Sequence, residues 1–149
     1  MISIQYEDFD VGSEYKALTE NDTAAGAVVT FVGRVRDMNL SRDVLGLHLE
    51  HYPGMTESAL QEIVDEAKSR WEIVRYKIIH RIGDLHLGDN IVFVGVTSAH
   101  REDAFRAAEF LMDYLKTRAP FWKKELTSQG NIWIEAQVKD QQAAKKWDL

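Results

Sequence analysis

Ile91-Val92-Phe93-Val94-Gly95-Val96-Thr97 runs through Ser98-Ala99-His100-Arg101 into a helical pattern that begins near Glu102, and this passage decides the fold. Its first seven residues are the most hydrophobic strand of the chain, which places that strand centrally in a sheet. After it, Phe105, Ala108, Met112 and Leu115, with Ala104, Ala107 and Leu111 beside them, recur at the spacing of an amphipathic helix. Pro120 disfavours helical geometry at Ala119, so the helix is expected to stop there.

Both ends of this helix carry cations. At its N-terminus, unpaired backbone N–H groups and the positive end of the helix dipole make His100 and Arg101 a candidate anion site. Ordinary capping by Ser98 or Thr97, with both side chains in water, explains the same residues equally well. At the other end the chain reads Asp113-Tyr114-Leu115-Lys116-Thr117-Arg118-Ala119-Pro120-Phe121-Trp122-Lys123-Lys124-Glu125. Lys116 and Arg118 are expected in the last helical turn, where free carbonyls favour cations. Lys123 follows the break at Pro120, so it and Lys116 are placed to meet one anion from two sides. A catalytic lysine needs a neighbouring cation or an apolar wall to lower its pKa, and this stretch offers both. A solvated basic patch is the plain alternative.

Working outward, Asp10 to Leu18 predicts a short helix with Val11, Tyr15 and Leu18 inward, and Gly26 to Arg36 predicts a strand rich in β-branched residues. Arg36 then stands at a strand end facing the polar loop Asp37 to Asp43, where a rigid scaffold displays functional groups. Leu45 to Tyr52 alternates as a strand and stops at Pro53-Gly54. That alternation puts His48 and Glu50 on one face and His51 on the other, so the three cannot ligate one metal ion from a regular strand. Thr56 to Trp71 predicts a helix with Leu60, Ile63, Val64, Ala67 and Trp71 on its buried stripe. Val74 to Ile82 predicts a strand, Gly83-Asp84 a turn, Ile132 to Val138 a last strand, and Gln141 to Ala144 a weak helix.

The chain has 149 residues, 45% hydrophobic and 28% charged, which is enough for one globular α+β domain spanning residues 1–149. It has no cysteine, so disulfides, zinc–thiolate sites, iron–sulfur ligation and cysteine nucleophiles are excluded together. If sulfur chemistry occurs, the sulfur arrives on another molecule. A formal net charge of -6 argues against a general nucleic-acid binder, while leaving room for a small anion in a basic pocket. No apolar run reaches membrane-spanning length and the first residues lack a signal-peptide pattern, so a cytoplasmic location is expected.

Five blocks then carry a resemblance. They are Gly26 to Arg36, Leu49-Glu50-His51-Tyr52-Pro53-Gly54-Met55, His80-Arg81-Ile82-Gly83, Val94 to Arg101, and Asp113 to Lys123. In this order the chain resembles the large catalytic subunit of molybdopterin synthase. The resemblance implies an α+β fold of the α/β hammerhead type, with a mixed or antiparallel sheet packed against two main helices. It implies a sulfurtransferase of molybdenum-cofactor biosynthesis with no resident metal or cofactor. A small ubiquitin-like carrier would present a C-terminal Gly-Gly thiocarboxylate, and two sulfurs would pass to cyclic pyranopterin monophosphate to form a dithiolene. The implied assembly is a heterotetramer, with a homodimer of this chain at its centre and a carrier at each end.

By the same resemblance, Lys116 and Lys123 correspond to the catalytic lysines, and Arg36, His100 and Arg101 to the anion-binding group. Phe31, Met112 and Glu125 match further pocket positions. One position departs from the pattern: Gln137 stands where relatives often carry an arginine. The residues alone also admit a different lysine-dependent transferase, or a noncatalytic module that docks a carrier tail.

Overall fold

The computed structural model describes residues 1–39, 42–134 and 138–148. The hydrophobic run forms β7 (Asn90–Ser98), which lies inside a four-stranded sheet as expected. It pairs antiparallel with β5 (Arg75–Arg81) on one side and β2 (Ala27–Arg34) on the other, and β1 (Ile2–Gln5) adds to β5 in parallel. Alternation along β7 supplies two cores. Val92, Val94 and Val96 face α2 (Met55–Arg70) and α3 (Arg101–Leu115), packing with Leu60, Val64, Phe110 and Leu111. Phe93 faces the opposite way and packs with Ile79 and with Leu18 of α1 (Val11–Thr19).

Gly95 is required for that second contact. A Cβ there would lie 2.4 Å from Leu18 Cδ1, so only a residue without one lets α1 sit against the sheet. On α1 itself Leu18 is buried, whereas Val11 and Tyr15, expected inward, remain 38% and 48% exposed. The helix is held at its start by Asp10, whose carboxylate accepts from the Ser13 amide at 2.9 Å.

Two features of α3 differ from expectation. The buried stripe runs through Ala104, Ala107, Ala108, Leu111 and Leu115, leaving Phe105 61% exposed. The helix also ends at Leu115 rather than Ala119. The Thr117 and Arg118 amides both donate to the Tyr114 carbonyl, and the Thr117 hydroxyl donates to the Asp113 carbonyl at 3.0 Å. The last turn thus tightens and closes before the constraint of Pro120 is reached. Lys116 becomes the C-cap, and Arg118 lies past the helix, with its guanidinium 3.8 Å from the centroid of the Tyr114 ring.

A second, antiparallel sheet is centred on β4 (Arg42–His51). The four residues of β6 (Gly83–His86) pair along one edge of it, and β8 (Phe121–Thr127) pairs along the other. β3 (Met38–Asn39) joins the start of β4, and β9 (Gly130–Ile134) joins β8. Gly83, expected in a turn, instead opens β6; its φ of +85° swings the chain out of the first sheet and into the second. The loop expected from Asp37 to Asp43 contributes paired residues at Met38, Asn39, Arg42 and Asp43. β8 comes from the basic stretch, whose lysines mask a strand period. The last strand was expected to reach Val138, but that residue begins α4 (Val138–Lys145), while Glu135, Ala136 and Gln137 lie outside the described residues.

The inner face of this sheet buries Val44, Leu47, Leu49 and Leu85 against Val35. On its outer face His48 bridges two carboxylates, Asp84 at 2.6 Å and Glu50 at 3.0 Å, which raise the imidazole pKa. His51 points the other way and meets the Thr56 hydroxyl at 3.2 Å, as the alternation required. The expected α+β architecture is therefore present, with its sheet divided into one mixed and one antiparallel unit. Among the described residues, no helix is long and apolar enough to cross a membrane.

Candidate active site

A cavity of about 540 Å³ opens where the two sheets and the end of α3 meet. β2 supplies Phe31 and Gly33, and Arg36 follows two residues after that strand ends. The end of α3 supplies Met112 and Leu115, with Lys116 at the cap. Across from them stands the inner face of β8. Its register with β4 sets Phe121 opposite His51, Lys123 opposite Leu49 and Glu125 opposite Leu47, so the three alternate residues share one face. All three line the cavity, whereas Trp122 and Lys124, one step out of phase, do not.

The expected lysine pair is therefore brought together by tertiary structure. The pKa of Lys123 is lowered, first by burial and then by the charges of Lys116 and Arg36; Glu125 and Asp140 oppose that shift. Two further cations thus act on Lys123 within a wall that also carries apolar residues such as Leu115 and Ile91. Glu125 is buried, at 2% exposure, and accepts a hydrogen bond from the Asn39 amide at 2.5 Å. Phe31 and Met112, the further positions suggested by resemblance, also line the cavity.

His100 and Arg101 are placed elsewhere. They are exposed at the start of α3, a helix of 15 residues, and hence about 22 Å along its axis from Lys116. Within one chain they do not line the cavity. Gln137 lies outside the described residues.

His80 and Asp140 line the cavity without having been singled out as site residues. For His80 a signal existed: period two along β5 puts it on the face of buried Ile78, toward α3. Its ring stacks on Phe121, with centroids 3.9 Å apart and planes at 16°. Burial pushes its pKa down to about 4, with Lys116, His51 and Lys123 adding to the shift, so the imidazole is neutral at physiological pH. Asp140 comes from α4, and no local pattern linked that tail to the basic stretch.

The arrangement can hold an anionic group among fixed cations and offers one lysine whose ammonium gives up its proton more readily than usual. Known proteins carry the same framework. The chain is 62% identical over 147 residues to the molybdopterin synthase catalytic subunit of Vibrio cholerae, covering 99% of this chain and 97% of that one. It is 63% identical over 141 residues to the subunit of that name from Escherichia coli, covering 95% and 93%. The solved molybdopterin biosynthesis MoaE protein from Burkholderia ambifaria MC40-6 matches with a TM-score of 0.85 at 47% identity, covering 100% of this chain and 98% of that one. Residues 4–118, which include Arg36, His100, Arg101 and Lys116, match the family described as MoaE protein. With this match spanning most of its length, and relatives this similar from end to end, the chain belongs to the MoaE protein family.

Proposed function

We propose that this chain is the catalytic subunit of a molybdopterin synthase, a sulfurtransferase that moves two sulfurs from a small carrier protein to cyclic pyranopterin monophosphate. The observation that carries this reading is the convergence of Arg36, Lys116 and Lys123 on one cavity with a lowered Lys123 pKa. Sulfur donor and acceptor are both anions here, a thiocarboxylate tail and a cyclic phosphate. Charge-assisted hydrogen bonds from fixed cations hold such groups and stabilise charge that develops during transfer.

In this reading Lys116, on the exposed rim at the α3 cap, orients the thiocarboxylate. Lys123, deeper and less basic, exchanges protons as sulfur attacks the pterin side chain. Arg36 binds phosphate. His100 and Arg101, about 22 Å from the same chain's Lys116, complete a site only when a second copy brings the start of its α3 to the first copy's cavity. The central homodimer of a heterotetramer is therefore part of the proposal, as is a cytoplasmic setting. Residues 1–149 act as one catalytic domain, and no cofactor is needed.

A single-turnover assay with thiocarboxylated carrier and cyclic pyranopterin monophosphate, followed by mass spectrometry, tests the reaction. Gain of two sulfurs is expected; tight carrier binding with no sulfur gained would leave a docking module. Mixing Lys116→Ala with His100→Ala protein tests the shared site. Recovery of activity in the mixture is expected, and no recovery in verified mixed dimers would reject the shared site.

A further inference from the structure

The cavity contains a histidine that the proposed assignment leaves unused. His80 is anchored on two sides. Its Nδ1 lies 2.8 Å from the Arg81 carbonyl, an acceptor only, so Nδ1 carries the proton. Its ring face lies on Phe121, which fixes the plane of the imidazole, and the Arg81 carbonyl selects which nitrogen faces it. In a neutral ring with Nδ1 protonated, Nε2 is left as a bare lone pair.

The charges that act on it are cationic, although Glu125 and Asp140 line the same cavity near Lys123. Lys116 approaches from the α3 cap, Lys123 from β8 and His51 from β4, and each disfavours a proton on His80. His51 already meets the Thr56 hydroxyl, so of the two imidazoles it is His80, in the cavity wall, that offers a neutral acceptor there. A third carboxylate there, added to Glu125 and Asp140, would further weaken the positive field that an anionic substrate needs. A neutral acceptor leaves the field intact while still discriminating for an N–H or O–H donor.

We propose that His80 is a further substrate-binding residue, a neutral imidazole in a fixed tautomer whose Nε2 accepts a hydrogen bond from a donor on the anionic heterocycle that enters the cavity lined by Arg36, Lys116 and Lys123. This rests on the sulfur-transfer reading for the identity of the ligand. The tautomer and the place of His80 in the cavity wall rest on this chain's geometry alone.

The test uses full-length protein with three substitutions. His80→Phe keeps the stack on Phe121 and removes both nitrogens. His80→Asn keeps a donor near the position of Nδ1 and removes the acceptor, and His80→Gln restores an amide near the position of Nε2. With cyclic pyranopterin monophosphate as probe, His80→Phe and His80→Asn should bind at least tenfold more weakly by calorimetry, and His80→Gln should recover part of the loss. Affinity for the carrier should stay within twofold in all three. Equal pterin affinity in wild type, His80→Phe and His80→Asn, with unchanged melting temperatures, would overturn the proposal.

Nitrogen-15 imidazole NMR of the wild type is the second arm and needs no turnover. A protonated Nδ1 and a bare Nε2 at pH 7, with the Nε2 signal moving on addition of the pterin, are expected. An Nε2–H tautomer or a charged ring would overturn the proposal even if sulfur transfer were observed. A shift of Nε2 without any sulfur transfer would retain His80 as a binding residue and reject the catalytic reading instead.

Discussion

The imidazole of His80 and the ring of Phe121 lie face to face, 3.9 Å between centroids and 16° from parallel, and this contact joins β5 of the first sheet to β8 of the second. Because Phe121 and Lys123 share a face of β8, the stack also sets the depth at which Lys123 enters the cavity. Phe121→Ala should lower stability by about 2–4 kcal/mol, somewhat under the range of about 3–5 kcal/mol for a fully buried aromatic because Phe121 is only partly buried. It should also let the His80 pKa climb back toward 6.5 as water reaches the ring. Urea melts and NMR titration check the pair; a destabilised variant with an unmoved His80 pKa would separate packing from desolvation.

His80 makes stability depend on acid pH. Its folded pKa of about 4 lies below the ordinary histidine value of 6.5, so the unfolded chain binds more protons in between. Stability from this group is fully present above about pH 6.5, falls as pH drops through that window, and levels off near pH 4. The loss is at most about 3 kcal/mol, reduced by whatever contact the ring keeps with cavity water. Urea melts from pH 7 to pH 4 should show a slope in wild type that is shallower in His80→Phe. Parallel slopes would show that other groups carry the acid sensitivity.

Lys123 distinguishes a charge from a proton donor. Lys123→Ala should cut the sulfur-transfer rate by roughly a hundredfold or more, the scale of general acid–base contributions. Lys123→Arg keeps the charge but cannot lose it, so it should bind anions and still be slow. The rate of the wild type should fall above neutral pH at a value below 10.5, in line with the lowered Lys123 pKa, and that limb should vanish in the arginine variant. Full activity in Lys123→Arg would reduce the residue to a fixed cation.

Trp147 fastens the tail to α3. It is buried at 7% exposure, packs edge-on against Trp71 and Phe110, and donates from Nε1 to the Asp113 carboxylate at 2.7 Å. Asp113 lies three residues before Lys116, so the same contact steadies the end of the helix that presents the lysine. Trp147→Ala should cost about 3–5 kcal/mol. Its sulfur-transfer rate, measured at a temperature where the variant is folded, should fall as well; an unchanged rate would confine Trp147 to stability.

Gly95→Ala tests the packing of α1. The added methyl would meet Leu18 at 2.4 Å and the Phe93 ring at 2.9 Å, so a loss of about 1–3 kcal/mol is expected. Gly95→Ala with Leu18→Ala should recover part of it. Thermal melts that show the single variant unchanged would mean that α1 shifts freely on the sheet.

Local pattern was enough for the elements whose side chains repeat with the backbone. The apolar run of β7, the stripe of α2 from Leu60 to Ala67 and the alternation of His48, Glu50 and His51 were all legible, because burial of one face selects residues at the backbone's own period. β8 was not, because its inward residues are Phe121, Lys123 and Glu125, and charged side chains in a ligand cavity break the hydrophobic signal of a strand. β6 was hidden for a related reason: Gly83 reads as a turn, and its positive φ is what carries the chain from one sheet to the other.

Residue chemistry and order along the chain determined the fold class, the absence of thiol chemistry, the cations at both ends of one helix and the resemblance to a sulfur-transferring family. Tertiary structure alone decided which cations meet. Arg36, Lys116 and Lys123 share a cavity because two sheets close over the end of α3, while His100 and Arg101 are held at the other end of that same rigid rod. His80 and Asp140 join the site through strand register and the return of the tail. A sequence carries the charge of each residue, but the field at a site depends on distances between segments remote along the chain, and only packing sets those.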